Sequence, residues 1–237
     1  MSTRTRICLV TGANRGIGLE FTRQLLARGD RVVATARQPG KATALNTLAG
    51  EYPGRLHVLP LDITQPRTHA ELARELPLAV GDDVRIDLLI NNAGVLHSGE
   101  RFGALGLDTL EHSFRTNAAG PLLLTQTLAP QLANGARVVN MSSRIGAIAL
   151  TRRFGTPSYA ISKAALNMAT ALLGQALSPH DIVVVAVSPG WVRTEMGGAD
   201  AEVATADAVA GLLAQIERLA MTDSGSFFDW QGAPIPW

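Results

Sequence analysis

The sequence of 237 residues has a single cysteine, no long apolar run and almost no net charge. Cys8 has no partner for an internal disulfide, and its place in the apolar run Ile7–Val10 predicts a small core residue. The net charge of +1 favours neither a nucleic-acid nor a membrane partner. No apolar run approaches the roughly 20 residues of a transmembrane helix, and the N-terminal segment lacks the apolar core of a signal peptide. We therefore expect a cytoplasmic protein.

Clustered metal ligands and paired catalytic acids are also missing. The five histidines are scattered without ligand spacing, and with one cysteine they form no zinc signature. We therefore expect no metal site. Asp82 and Asp83 are adjacent acids, but their setting in GDDV predicts a surface turn rather than a carboxylate dyad.

Apolar residues, by contrast, are plentiful. They make up 46% of the chain, which allows a large core and argues against disorder. Short runs that are apolar throughout alternate with helical patterns, which is typical of a parallel sheet covered on both faces. No Pro/Gly/Ser-rich linker divides the chain, so we expect one α/β domain over residues 1–237. The predicted strands are 7–10, 31–35, 55–62, 85–90, 136–141, 181–187 and 226–228, and the predicted helices are 16–27, 41–49, 65–76, 107–114, 120–132, 158–177 and 200–220.

A glycine-rich loop joins the first predicted strand to the first helix. The segment TGANRGIG (11–18) places Gly12, Gly16 and Gly18 within seven residues. Such glycines allow a tight turn and a close approach of the backbone to a phosphate, at which the following helix points its free N–H groups. The loop predicts dinucleotide binding by a doubly wound sheet of Rossmann type with about seven strands. The alternative is a plain strand–helix turn.

The charges near this loop bear on which dinucleotide binds. NAD sites place an acid after the second strand to hold the ribose hydroxyls, but here that strand ends in ATARQ, with Arg37 and no acid. Arg15 lies inside the glycine loop. Two guanidinium groups suit a 2′-phosphate, so NADP(H) is favoured over NAD(H). The alternative is that both arginines are simply solvated.

Further motifs follow in order along the chain. They are NNAG (91–94), Asn117 in FRTNAAG, the serines of VNMSS (139–143), YAISK (159–163), and SPG (188–190) with WVRT (191–194). Together with the glycine loop, this set resembles the short-chain dehydrogenase/reductase family, in its single-domain form, over nearly the whole chain. The closing segment Ser226–Trp237 is similar to the subgroup of bacterial C-factor and insect sniffer-type carbonyl reductases.

The resemblance implies a catalytic group. Tyr159 would give a proton to the substrate oxygen, and Ser143, favoured over Ser142, would donate a hydrogen bond to the same atom. Lys163, four residues along the same helix, would bind the nicotinamide ribose and lower the pKa of Tyr159. Asn117 would hold a water that connects Lys163 to solvent.

The resemblance also assigns contacts to the cofactor. Among them, Asp62 would lie near the adenine amino group with Ile63 beside it; the alternative for the strand-end positions is that they are plain turn residues. The full set is Gly12, Asn14, Arg15, Gly16, Ile17, Gly18, Arg37, Asp62, Ile63, Asn91, Ala93, Gly94, Tyr159, Lys163, Pro189, Gly190, Val192 and Thr194.

The function implied is NADPH-dependent reduction of a hydrophobic ketone or aldehyde. An NADP-binding signalling protein of the C-factor type is the alternative, and a sugar-nucleotide epimerase or dehydratase is a third, for whose larger substrate domain the chain has no room. Arg152 and Arg153 would meet an acidic substrate or be solvated. The resemblance implies a homodimer or homotetramer, although the apolar helix faces equally suit a monomer.

Overall fold

The structure is a computed structural model that describes residues 5–81 and 85–237. Within these residues, seven strands form one parallel sheet in the order β3-β2-β1-β4-β5-β6-β7. The order reverses between β1 and β4, which is where doubly wound sheets bind ligands. The strands are β1 Ile7–Val10, β2 Arg31–Ala36, β3 Leu56–Pro60, β4 Ile86–Asn91, β5 Leu132–Met141, β6 Val183–Ser188 and β7 Phe227–Asp229.

Helices cover both faces of the sheet. Residues of α1, α2 and α7 form one apolar cluster with the sheet, and residues of α3, α5 and α6 form the other. Successive residues of β1 point to opposite faces, so Cys8 lies in the first cluster and Leu9 in the second. This explains why the strands are apolar throughout. The helices are α1 Gly16–Ala27, α2 Thr43–Glu51, α3 Pro66–Val80, α4 Leu107–Phe114, α5 Gly120–Leu128, α6 Pro157–Leu177 and α7 Thr205–Arg218.

The predicted architecture is confirmed, with differences in the bounds of several helices and strands. The helix predicted to end at residue 132 ends at Leu128, because Leu132 already pairs with β4. Pro121 lies in the first turn of α5, where proline is tolerated. A π-helical turn, Arg115–Ala119, joins α4 to α5. The helix predicted at 200–220 is shortened to α7, and the turn predicted at Asp82 and Asp83 lies outside the described residues.

Candidate active site

The glycine loop follows β1 and requires glycine at specific positions. Gly12 and Gly16 have φ angles of 63° and 56°, a region that side chains disfavour. A Cβ on Gly12 would lie 2.8 Å from Cα of Ala93, and one on Gly18 would lie 2.5 Å from the Gly12 carbonyl oxygen. The loop therefore packs directly on the loop after β4. Of its other predicted contacts, Asn14 and Arg15 are exposed and Ile17 is half-buried.

The loop after β6 also reaches the glycine loop. The Thr194 methyl group lies 3.5 Å from the position of a Cβ on Gly16. Arg15 forms an ion pair with Glu195, and this hydrogen bond lowers the pKa of the Glu195 carboxyl. Of the other residues predicted here, Val192 is buried and forms a β-bridge with Val203, whereas Pro189 is half-buried and Gly190 has a φ of 82°.

Tyr159 and Lys163 lie one turn apart on α6. The Lys163 ammonium nitrogen is 5.4 Å from the centre of the Tyr159 ring, and it donates a hydrogen bond of 2.6 Å to the Met141 carbonyl. Lys163 is buried, and Tyr159 is half-buried. The end of β5 and the first turns of α6 therefore meet at this point.

Burial determines the protonation of this pair. It raises the pKa of Tyr159 to about 12, although hydrogen bonding with Ser143 acts in the opposite direction. Burial also lowers the pKa of Lys163 to about 7. The prediction that Lys163 lowers the pKa of Tyr159 is therefore wrong for this structure. The cause is that both groups lose solvent, and the neutral form of each is favoured.

The two serines after β5 have different surroundings. Ser142 is buried, and its hydroxyl donates a hydrogen bond of 2.6 Å to the Asn167 side chain. Ser143 is half-buried, hydrogen bonds with Tyr159, and accepts a bond of 3.3 Å from the Ile145 N–H. Ser143 thus lies beside the tyrosine hydroxyl, and Ser142 does not.

Asn117 lies in the π-helical turn and is fully buried. Its amide accepts from the Val95 N–H at 2.8 Å and donates to the Val95 carbonyl at 2.8 Å and to the Ser162 hydroxyl at 2.9 Å. A Cβ on Gly94 would lie 3.3 Å from the Asn117 amide oxygen and 3.8 Å from the Lys163 nitrogen. The side chain of Asn117 therefore fixes the loop after β4 near Lys163, and its own polar atoms are already bonded.

The remaining predicted contacts lie at the ends of β2, β3 and β4. Arg37 is exposed and forms no side-chain hydrogen bond or ion pair within residues 5–81 and 85–237. The Asp62 carboxylate accepts from the N–H and hydroxyl of Thr64, and Ile63 is buried in the core. Asn91 is buried, and its amide donates to Thr125 and Asn140. Its side chain thus connects β4 to β5 and α5.

Comparison with known proteins identifies the family. The sequence model of the short chain dehydrogenase family matches residues 6–204 of the chain. The chain belongs to the short-chain dehydrogenase family. Its structure is similar to the NADPH-bound carbonyl reductase from chicken fatty liver, with a TM-score of 0.93, 36% identity, and coverage of 99% of this chain and 100% of that chain. The carbonyl reductase Sniffer of D. melanogaster also has a TM-score of 0.93, with 29% identity over 99% of this chain and 100% of that chain.

A curated relative is also similar to this short-chain dehydrogenase. The C-signal protein of Myxococcus xanthus is 42% identical over 154 residues, which are 64% of this chain and 93% of that protein. The similarity therefore extends to the C-factor-type subgroup predicted from the closing segment. Within the described ranges, the structure has no helix with the length and apolar character that crossing a membrane requires.

Two residues that complete this short-chain dehydrogenase site were not singled out in the sequence. The Thr11 hydroxyl accepts from the N–H groups of Asn92 and Ala93, at 2.9 and 3.0 Å. The Asn92 amide donates to the carbonyls of Thr11 and Gly12, at 2.9 and 3.1 Å. These bonds hold the glycine loop against the NNAG loop, and the one available signal was their place inside the two motifs.

The residues present fit the nicotinamide dinucleotide that the family implies. The glycine loop lies at the N-terminus of α1, where the lack of side chains at Gly12 and Gly16 lets the backbone pack closely on Ala93 and Thr194. Free N–H groups there suit a phosphate, and Arg15 adds positive charge. The loops after β1, β4 and β6 converge here, and Lys163 reaches the loop after β4 at Gly94.

Proposed function

We propose that this protein reduces a ketone or aldehyde to an alcohol with NADPH. The observation that carries the proposal is that Tyr159, Ser143 and Lys163 lie together, and that Lys163 is close to the loop after β4 on which the glycine loop packs. The NADPH-bound chicken carbonyl reductase supports both the reaction class and the cofactor. Arg15 and Arg37, which lie in the glycine loop and after β2, would bind the 2′-phosphate of NADPH.

Each residue has a role that its surroundings support. When bound, NADPH supplies the hydride for the carbonyl carbon. Tyr159 keeps its proton at neutral pH because its pKa is about 12, so it is ready to donate that proton to the substrate oxygen. The Ser143 hydroxyl donates a hydrogen bond to the same oxygen as negative charge develops there. Lys163 would bind the ribose hydroxyls of the cofactor, and Asn117 holds the neighbouring loop in place.

The experiment is NADPH oxidation with a panel of ketones, aldehydes and quinones, alongside Tyr159→Phe. We expect the wild type to turn over at least one carbonyl. The variant should lose about 10²–10⁴-fold in kcat, because it lacks the proton donor but keeps the ring. NADPH binding, followed by fluorescence, should be unchanged. Equal inactivity of both proteins, with NADPH bound, would contradict the reductase proposal.

The second candidate is an NADP-binding signalling protein with little turnover. The 42% identity with C-signal favours it, since it covers 93% of that protein. The same assay separates the two candidates. A signalling protein would bind NADPH tightly and turn over no member of the panel. Its wild type and Tyr159→Phe variant would then give the same result in this assay.

We also propose a cytoplasmic homodimer or homotetramer. One face of α6 exposes Ile161, Met168 and Leu172, which are 53%, 62% and 60% accessible. Apolar side chains grouped on one helix face support burial against a second copy. Light scattering after size exclusion should give a dimer or tetramer mass, and Met168→Glu with Leu172→Glu should give the monomer mass. A monomeric wild type would contradict the proposal.

A further inference from the structure

Two phenylalanine rings from separate loops meet beside the start of α6. The Phe102 and Phe154 ring centres are 5.5 Å apart at an interplanar angle of 89°, an edge-to-face contact. Both rings are largely exposed, at 86% and 53%. The first belongs to the segment 92–106 after β4, and the second to the segment 144–156 before α6. We call these two segments the mouth.

Both segments of the mouth contact the candidate active site. Gly94 and Gly146, one from each segment, lie against Lys163: a Cβ on Gly94 would be 3.8 Å from its nitrogen, and one on Gly146 would be 2.6 Å from its Cβ. The Glu100 carboxylate accepts a hydrogen bond of 3.3 Å from the Ser158 N–H. This bond ties the segment that carries Phe102 to the residue before Tyr159, and the exposed apolar surface of the ring pair marks a binding site.

The charge of the mouth differs from that of the chain as a whole. The chain has a net charge of +1, but the mouth contains four arginines and one acid, Glu100. Arg144 lies 4.0 Å from Asp229. The other three, which flank the two phenylalanines in sequence, are exposed and have no acidic partner among the described residues: Arg101, Arg152 and Arg153.

We propose that the carbonyl substrate carries an anionic group, a carboxylate, sulfonate or phosphate, joined to its carbonyl through an apolar or aromatic body. This inference rests on the proposed function. The body packs on Phe102 and Phe154, and the anionic group binds the arginines beside them, while the carbonyl reaches Tyr159 and Ser143. Guanidinium groups bind such anions through charge-assisted hydrogen bonds, and aromatic faces accept flat apolar groups.

The test compares two ketones that differ in charge, 4-acetylbenzoate and its methyl ester. For the wild type, we expect kcat/KM to be about tenfold higher for the carboxylate, chiefly through a lower KM. Arg152→Gln with Arg153→Gln should remove most of this preference, by lowering kcat/KM for the carboxylate severalfold more than kcat/KM for the ester. Raising the ionic strength should weaken the carboxylate reaction alone.

Two further variants separate charge at the mouth from general effects. Arg74→Gln with Arg218→Gln removes the same charge from exposed positions on α3 and α7 and should keep the preference. Arg152 also donates to the carbonyls of Ala149 and Thr151, so its replacement removes bonds within the loop as well as a charge. Arg101→Gln removes a charge of the mouth without removing such bonds, and it should lower the preference severalfold.

The two proposals fail in different ways. If the wild type reduces the ester as well as the carboxylate, and the mouth variants change neither, the substrate inference is wrong and the reductase proposal stands. If neither ketone nor any member of the carbonyl panel is reduced although NADPH binds, the reductase proposal fails and the inference falls with it.

Discussion

The side-chain nitrogen of Lys163 lies 5.4 Å from the centre of the Tyr159 ring, and its hydrogen bond goes to the main-chain carbonyl of Met141. The lysine is thus held by the end of β5 as well as by its own helix. Because the site is buried, the charged form of each residue is disfavoured. The pair consequently combines a protonated phenol with an amine that titrates close to neutral pH.

The first prediction concerns the pH dependence of stability without cofactor. The folded-state pKa of Lys163 is about 7, below its ordinary 10.5, so the unfolded chain binds more protons between these values. The free energy of unfolding therefore rises with pH across this window, and the destabilisation is complete below about pH 7. Lys163→Met removes this dependence. We expect the stability of the variant relative to the wild type to fall from pH 7 to pH 10.

Urea unfolding at pH 7, 8.5 and 10 measures that difference. Lys41→Met, at an exposed lysine, is the control. Its stability relative to the wild type should be the same at all three pH values. The loss of the bond to Met141 shifts the Lys163→Met difference by a similar amount at every pH, so the slope carries the information. If the stability difference between Lys163→Met and the wild type does not change with pH, the lowered pKa of the buried lysine is wrong.

The two adjacent serines provide a second, paired prediction. Ser143→Ala removes the hydroxyl beside Tyr159 and should lower kcat by about 10²–10³-fold, with little change in stability. Ser142→Ala leaves the Asn167 amide oxygen without its donor and should cost about 1–3 kcal/mol of unfolding free energy, with kcat largely retained. Steady-state kinetics and urea unfolding of both variants check this. The reverse pattern would reassign the catalytic serine.

A third prediction tests which cofactor is used. Arg37→Asp removes a cation from the end of β2 and introduces the acid that NAD sites use to hold ribose hydroxyls. We expect the Kd for NADPH to rise about 10–100-fold and the Kd for NADH to fall. Fluorescence titration with both cofactors measures the change, with Arg218→Asp as a control at a distant exposed arginine. A preserved NADPH preference would show that Arg37 does not bind the phosphate.

The ion pair between Arg15 and Glu195 gives a fourth prediction. Both residues are exposed, and Glu195 neutralises the arginine expected to bind the 2′-phosphate. Glu195→Gln should lower the Kd for NADPH about two- to fivefold, because Arg15 can then bind the 2′-phosphate without first losing its ion pair with a carboxylate. The Kd for NADH should stay the same, since it lacks the 2′-phosphate. Equal effects on both cofactors would indicate that Glu195 acts on the pyrophosphate region or the loop instead.

Local patterns in the sequence were sufficient for much of this protein. The bounds of α1, Gly16–Ala27, and of β1, Ile7–Val10, were predicted to the residue, because the glycine loop between them is a local signal. The doubly wound sheet followed from apolar runs separated by helical patterns. The spacing of Tyr159 and Lys163 placed both on one helix face, since residues four apart lie one turn apart.

Tertiary structure alone decided what these residues contact. The sequence could not tell that Ser142 bonds to Asn167 while Ser143 bonds to Tyr159, because the partners lie 16 to 25 residues away. Nor could it tell the sign of the pKa shift at Tyr159, which depends on how many remote segments exclude water from it. The sequence by itself determines the chemical type of each residue and the local spacing between residues. Burial and bonding partners are decided only when distant strands and loops meet at one edge of the sheet.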